Sequence, residues 1–203
     1  VLVARYYGAR DEDGIQDVVH TSMLLSAIFG VALIFLGILL AAPLLELMGT
    51  PDNVLDQAVL YMQIVFVGMP AMMIYNFGAA ILRALGDTRR PLIYLFIAGV
   101  VNVILNLFFV IGFQMGVAGV ALATVISQCI SAALVVLCLM RSSGCYKLYL
   151  SKLHISRDKL IQIIRIGLPA GIQGAVFSIS NVLIQSSINS FGSIAMAGNT
   201  AAS

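Results

Sequence analysis

The sequence has few charged residues, no tryptophan and only three cysteines. Charged residues make up 10% of the chain, against about a quarter of an ordinary soluble domain. Hydrophobic residues make up 61%, and the mean hydropathy is +1.03. No cysteine has a Cys or His partner at metal-ligand spacing, so no zinc motif is present. No basic run with interleaved aromatic residues indicates nucleic-acid binding. The composition excludes a soluble domain and predicts a protein whose main partner is the lipid bilayer.

Five stretches without Asp, Glu, Lys or Arg are long enough to cross a bilayer. Each has at least about 20 residues, which at about 1.5 Å per residue spans a hydrocarbon core of about 30 Å. Helices are favoured over a membrane β-barrel because the apolar runs are continuous rather than alternating. The chain is therefore predicted to be an all-α polytopic membrane protein, a multi-helix bundle. The predicted spans are residues 18–45, 57–82, 91–112, 117–140 and 166 to about 190, and a sixth begins near residue 195.

The basic residues alternate between the gaps that separate these spans. All eleven Lys and Arg residues lie in three gaps, and the two intervening gaps have none. Short loops rich in Lys and Arg stay on the cytoplasmic side of a membrane. The alternation predicts a multi-pass protein of the cell (inner or plasma) membrane whose loops 5–17, 83–90 and 141–165 are cytoplasmic. Since no span contains a charged residue, the sequence offers no intramembrane ion pair or proton relay of its own.

Two asparagines stand out among the apolar residues of the third span. Asn102 and Asn106 are four residues apart, so both side chains project from one face of a helix. An amide in lipid without a partner costs several kcal/mol, so this face must look into protein or water. Two interpretations stay open: hydrogen bonding to a neighbouring helix, or the lining of a polar cavity.

The fifth span carries a stripe of small and polar residues. Ser178, Asn181 and Gln185 belong to it and are spaced by three and four residues, the spacing of one helix face. This pattern favours a side that faces a substrate or ion cavity.

A proline and two histidines are the remaining features of interest. Pro70 lies in the middle of the second span, where a proline bends a helix. The bend is either a static kink or a hinge for gating. His20 and His154 are expected to be ordinary residues of the cytoplasmic interface. Ser, Cys and His are not arranged as a nucleophile with its base, so an enzyme is not expected and no metal site is predicted.

Four sequence segments resemble parts of the multidrug and toxic compound extrusion (MATE) transporter family, in the same order and at matching spacing along nearly the whole chain. The segment GARDE resembles the loop after the second helix of that family, and RALGDTRRP resembles the loop after the fourth. GVAGVALAT is similar to the start of the sixth helix, and IGLP to the start of the seventh. These segments are residues 8–12, 83–91, 116–124 and 166–169.

The resemblance implies a fold and an activity. The family has twelve helices in two six-helix lobes, and this chain would run from the end of helix two to the start of helix eight. Residues 1–140 would be part of the first lobe, 141–156 the cytoplasmic linker between lobes, and 157–203 the start of the second lobe. The family exports drugs and organic cations by alternating access, coupled to H⁺ or Na⁺ antiport. The resemblance also implies small amphipathic or cationic substrates, a monomeric full-length protein and no cofactor besides the coupling ion.

The chain departs from the family at one pair. Many members have an Asn and an Asp four apart in the fifth helix, near the coupling-ion site of the first lobe, where this chain has Asn102 and Asn106. An amide can coordinate Na⁺ but cannot take up a proton, so the coupling ion, H⁺ or Na⁺, stays open.

Two other functions are alternatives to drug export. A flippase for a lipid-linked oligosaccharide, from the same superfamily, would carry basic residues within its cavity, and no span here contains one. A non-transporting receptor or scaffold subunit would have a sizeable soluble domain, which is absent from these 203 residues and would have to lie outside them. Export is therefore the preferred hypothesis.

Overall fold

The computed structural model describes residues 1–47, 52–142, 144–150 and 153–189, and over these residues it is helical with no strand. The predicted all-α fold is thereby confirmed. The helices are α1 (Leu2–Gly8), α2 (Glu12–Leu47), α3 (Asp52–Val67), α4 (Met69–Ala84), α5 (Arg89–Leu107), a π-helical turn (Phe108–Gly112), α6 (Gly116–Arg141) and α7 (Arg157–Asn189).

The described helices account for the five predicted spans. Four of them are long and apolar enough to cross a membrane, and the bent pair of α3 and α4 makes a fifth if the two are counted as one span. The first span begins at Glu12, six residues before its predicted start. Its first turn contains Glu12 and Asp13, whose negative charges stabilise the positive end of the helix dipole, so the helix extends past its apolar part. The chain is a multi-pass membrane protein by length and composition of its helices.

The second span is bent next to Pro70, as predicted from the sequence. Helices α3 and α4 meet at an angle of 44°, and the break is at Gly68, two residues before Pro70. A proline fits the first turn of a helix, where its missing N–H is not needed, but its ring clashes with the carbonyl four residues earlier. The helix is therefore interrupted in the turn before Pro70, between Val67 and Met69. The gating role of Pro70 stays a prediction.

Helices α4 and α6 form the centre of the bundle, since they pack on each other and on most of the remaining helices of the first six. Helix α2 packs on α3 and α4, and α6 packs on α3, α4 and α5. Glycines allow two of these approaches: Gly30 of α2 lies against the backbone of Pro70, and Gly78 of α4 lies against Val135. Small residues at helix crossings permit this close contact inside a membrane, where van der Waals packing replaces the hydrophobic effect.

Two compact units divide the chain, Val1–Leu160 and Ile161–Ser203. The first unit contains α1 to α6 and the described parts of the segment 141–156. The described part of the second unit is the remainder of α7. The assignment of residues 141–156 as a linker between lobes, and of 157–203 to a second lobe, stays a prediction.

His20 is buried and holds the segment that follows α6, so its expected place as an ordinary interface residue is wrong. It lies inside α2 with 1% of its surface exposed. Its Nδ1 is 2.7 Å from the carbonyl oxygen of Gln16, and the backbone N–H of Tyr149 donates to its Nε2 over 3.1 Å. Since Nε2 accepts, the proton is on Nδ1 and both nitrogens are satisfied. Ser156 N–H also donates to the Thr21 hydroxyl, over 3.1 Å.

Replacing His20 with alanine in the full-length protein should loosen residues 144–150. The change removes the acceptor of the Tyr149 N–H and leaves the Gln16 carbonyl without its side-chain donor, at about 1–3 kcal/mol for each unpaired buried group. We expect amide hydrogen exchange across 144–150 to become at least about fivefold faster.

His154→Ala is the matched control for this experiment. His154 pairs with Asp17 over 3.1 Å, but both side chains are substantially exposed, and exposed pairs contribute little. The His154 ring also stacks on His20, with the ring centroids 6.0 Å apart, so a small part of the effect is expected in this variant too. Exchange in His20→Ala as slow as in the unchanged protein would show that His20 does not anchor the segment.

Candidate functional site

A cavity of about 420 Å³ lies between α4, α5 and α6. Uncharged polar side chains and small residues form much of its wall, and none of the described residues that line it carries a formal charge. Helix α4 contributes one side, α5 the second and α6 the third. The lining residues are Met72, Tyr75, Asn76, Leu95, Ala98, Gly99, Asn102, Thr124, Ser127, Gln128 and Ser131.

Asn102 is among the residues that line this cavity, and its amide also bonds to the neighbouring helix. Its role in binding a substrate or an ion stays a prediction. Its Nδ2 donates to the Ser127 hydroxyl of α6 over 3.3 Å. Ser127 in turn donates to the carbonyl of Thr124 over 2.8 Å. The amide is thus held by α6 while part of it faces the cavity. Helix α6 carries small buried residues four apart, Gly119, Ala123, Ser127 and Ser131. Small residues at this spacing let neighbouring helices approach closely.

Asn106 extends the network but is not among the residues that line the cavity. Its Nδ2 donates to the Oδ1 of Asn102 over 3.0 Å. Its own Oδ1 is buried and has no hydrogen-bond partner within the described residues. A buried carbonyl oxygen without a partner costs about 1–3 kcal/mol. Amide oxygens also coordinate hard cations, so this oxygen is suited to a donor or a cation. As amides, the pair cannot exchange protons.

Four more polar residues of the cavity wall, from α4 and α6, were not assigned to a site from the sequence. Tyr75, Asn76, Thr124 and Gln128 all line the cavity. The Tyr75 hydroxyl also donates to the carbonyl of Pro91 over 3.0 Å, which connects α4 to α5. The sequence marks these four residues only as uncharged polar side chains inside apolar spans. Their convergence depends on how the helices are rotated against each other.

The other predicted cavity residues belong to α7. Ser178 and Asn181 are exposed on this helix in the second unit. Gln185 is within α7, but its side chain lies outside the described residues. A cleft-facing role for these three residues stays a prediction.

The histidines, cysteines and acidic residues form no candidate metal centre within the described ranges. No group of three or more of them lies close enough together there to hold an ion. The chemistry available in the cavity is that of amides, hydroxyls, a phenol ring and apolar side chains.

The fold and the cavity define a polytopic α-helical membrane protein with an uncharged cavity between α4, α5 and α6. The MatE family model matches residues 1–108, more than half of the chain. The chain belongs to the MatE family, and the resemblance of its loop segments to that family is confirmed.

Individual relatives agree with this assignment. "Probable multidrug resistance protein YoeA" of Bacillus subtilis (strain 168) is 32% identical over 206 residues, which cover 97% of this chain and 44% of that protein. Two solved structures are similar, both of a multidrug resistance MATE family transporter of the MOP superfamily. The outward-facing one covers 91% of this chain and 41% of its own, with 27% identity and a TM-score of 0.83. The inward-facing one covers 83% of this chain and 38% of its own, with 29% identity and a TM-score of 0.76.

The chain spans less than half the length of these relatives. Its family consists of transporters rather than enzymes, in agreement with the prediction that it is not an enzyme.

Proposed function

We propose that the full-length protein is a secondary active exporter of drugs or organic cations, which works by alternating access with H⁺ or Na⁺ antiport. The observation that carries the proposal is the uncharged cavity between α4, α5 and α6, which is largely apolar and has Asn102 among the polar side chains on its wall. Similarity to transporters described as inward-facing and outward-facing supports alternating access. The relatives described as multidrug resistance proteins support the substrate class.

The cavity chemistry suits an amphipathic cation. Leu95 and Met72 offer apolar surface, and the ring of Tyr75 offers a π face that attracts a cation. Without a lining carboxylate, a cation is held weakly enough to be released again. A lipid-linked oligosaccharide, the alternative substrate, would need basic residues for its pyrophosphate, and none of the described lining residues is basic.

The remaining parts of the proposal follow from the sequence and the family. The exporter would have twelve helices in two lobes and work as a monomer in the inner or plasma membrane. Loops 5–17, 83–90 and 141–165 would be cytoplasmic. No cofactor is required. If the coupling ion binds at Asn102 and Asn106 it is Na⁺, because amides do not take up protons. If it is H⁺, the titrating group lies elsewhere.

Dye efflux tests this proposal directly. Cells that express the full-length protein should export several cationic dyes faster than cells with an empty vector. Selective ionophores then dissipate the Na⁺ gradient or the H⁺ gradient, one at a time. The gradient whose loss abolishes the extra efflux of the expressing cells identifies the coupling ion. Absence of gradient-dependent efflux for every dye, with the protein present in the membrane, would contradict drug export.

A further inference from the structure

A second polar pocket, of about 340 Å³, lies at the end of the bundle where α5 begins and α6 ends. It is separate from the cavity around Asn102 and shares no lining residue with it. The proposed export mechanism does not use it. Its lining residues are Arg90, Tyr94, Cys138, Arg141, Ser142 and Tyr146.

Asp87, which lies just before α5, holds the Arg90 side chain in position at this pocket. The Arg90 Nε lies 3.2 Å from Oδ2 of Asp87, and the other oxygen of that carboxylate accepts the Arg90 backbone N–H over 3.1 Å. Nη1 points to the sulfur of Cys138 on α6, at 3.6 Å. The side chain of Arg90 is 53% exposed. The guanidinium is therefore oriented across the α5–α6 groove, with N–H groups left to donate.

Arg141 supplies a second positive charge to the pocket, and no carboxylate among the described residues pairs with it. It is the last residue of α6 and is exposed. Within the described ranges it forms no ion pair, whereas Arg90 is paired with Asp87. The two guanidinium groups and one carboxylate leave a net positive charge at the pocket. A pocket of this kind attracts an anion.

The hydroxyl groups around the arginines are donors. The Ser142 oxygen accepts the Gly144 N–H over 3.3 Å, which leaves its own proton to donate. Tyr94 and Tyr146 bring phenol groups to the same pocket. Guanidinium and hydroxyl donors together match the oxygens of a phosphate group. Tyrosine is also enriched at the level of lipid headgroups.

We propose that this pocket binds the phosphate of an anionic phospholipid headgroup at the cytoplasmic surface of the membrane. Basic pockets between membrane helices on the cytoplasmic side bind such headgroups. The pocket lies where Arg90, at the end of the basic loop 83–90, approaches Arg141, Ser142 and Tyr146. This is the predicted cytoplasmic end of α5 and α6. Leu92 and Ile93 of α5 are exposed close by in the chain and provide apolar surface for the acyl chains. The bound lipid connects α5 to the segment after α6. This proposal does not depend on drug export.

The test compares lipids and variants on the purified full-length protein in detergent. Binding of phosphatidylglycerol and of cardiolipin is measured by native mass spectrometry and by the rise in melting temperature. Phosphatidylcholine and inorganic phosphate are the two comparison ligands. We expect the anionic lipids to bind and Arg141→Gln to weaken that binding about tenfold, because a charge-assisted hydrogen bond is lost. Arg5→Gln, an exposed arginine on α1, is the matched control and should change little.

Tyr146→Phe is the second variant, because it removes a single hydroxyl and keeps the ring. It should weaken anionic-lipid binding severalfold with an unchanged melting temperature in lipid-free detergent. Three results would overturn the proposal: equal binding of phosphatidylcholine, equal weakening by Arg5→Gln and Arg141→Gln, or no effect of either pocket variant. Stabilisation by inorganic phosphate as large as that by lipid would assign the pocket to free phosphate and overturn the lipid source.

Discussion

Leucine in place of Asn102 should reduce gradient-driven dye efflux by the full-length protein at least about tenfold. The substitution leaves Nδ2 of Asn106 without its acceptor, in a residue whose Oδ1 already has none within the described residues. A buried donor without a partner costs about 1–3 kcal/mol, and about 1.4 kcal/mol is a tenfold change in an equilibrium. The leucine also makes the wall of the cavity less polar. Efflux is measured as an initial rate, divided by the amount of protein in the membrane.

Asn76→Leu is the matched control for this prediction. Asn76 lines the same cavity from α4, but it is not part of the hydrogen-bonded pair on α5. Its substitution makes the same chemical change without breaking the network, so we expect a smaller loss. If Asn102→Leu transports as well as the natural protein, Asn102 and Asn106 only pack α5 against α6.

Alanine in place of Gly30 should destabilise the full-length protein by about 1–3 kcal/mol, the usual cost of inserting a methyl group into a packed core. A Cβ at Gly30 would overlap the Cα of Pro70, an atom of the backbone rather than the end of a flexible side chain. Helix α2 or α4 would therefore have to move. Since Pro70 begins the bent half of the second span, the change also disturbs the 44° bend.

Gly99→Ala isolates the packing effect from the general effect of a helical alanine. A Cβ at Gly99 meets nothing within 4 Å, and alanine is favoured over glycine in a helix by about 1 kcal/mol. The control should therefore be neutral or slightly stabilising. Both variants are compared by thermal unfolding in detergent, followed by size-exclusion chromatography. Equal melting temperatures would show that α2 and α4 do not meet tightly at Gly30.

The spans and their class could be predicted from the sequence because lipid offers no hydrogen bonds to the backbone. A long uncharged run in a bilayer must become a helix, whatever its neighbours are. The positions of Arg83 and Arg141 at helix ends follow for a similar reason, since charge is costly in hydrocarbon. The bend near Pro70 was predictable for a local steric reason. The exact position of the break, at Gly68, was harder to predict, because the proline ring clashes with the turn that precedes it.

The candidate site could be predicted only in part. The spacing of Asn102 and Asn106 placed both on one helix face, but their partners depend on the rotation of α6 and α4 about their axes. Ser127 lies 25 residues from Asn102 in the chain. His20 shows the same limit, since its partner Tyr149 is 129 residues away. Neither contact leaves a local sequence pattern.

The sequence by itself determined that this protein is a multi-pass helical membrane protein of the MatE type, because hydropathy, charge placement and loop motifs are local properties. The tertiary structure alone decided that Asn102 meets Ser127 at a cavity, that His20 holds the segment after α6, and that Arg90 and Arg141 share one pocket. The physical reason is the same in each case. The energy of a helix in lipid depends on its own residues, whereas a hydrogen bond or pocket between helices depends on how separate helices pack.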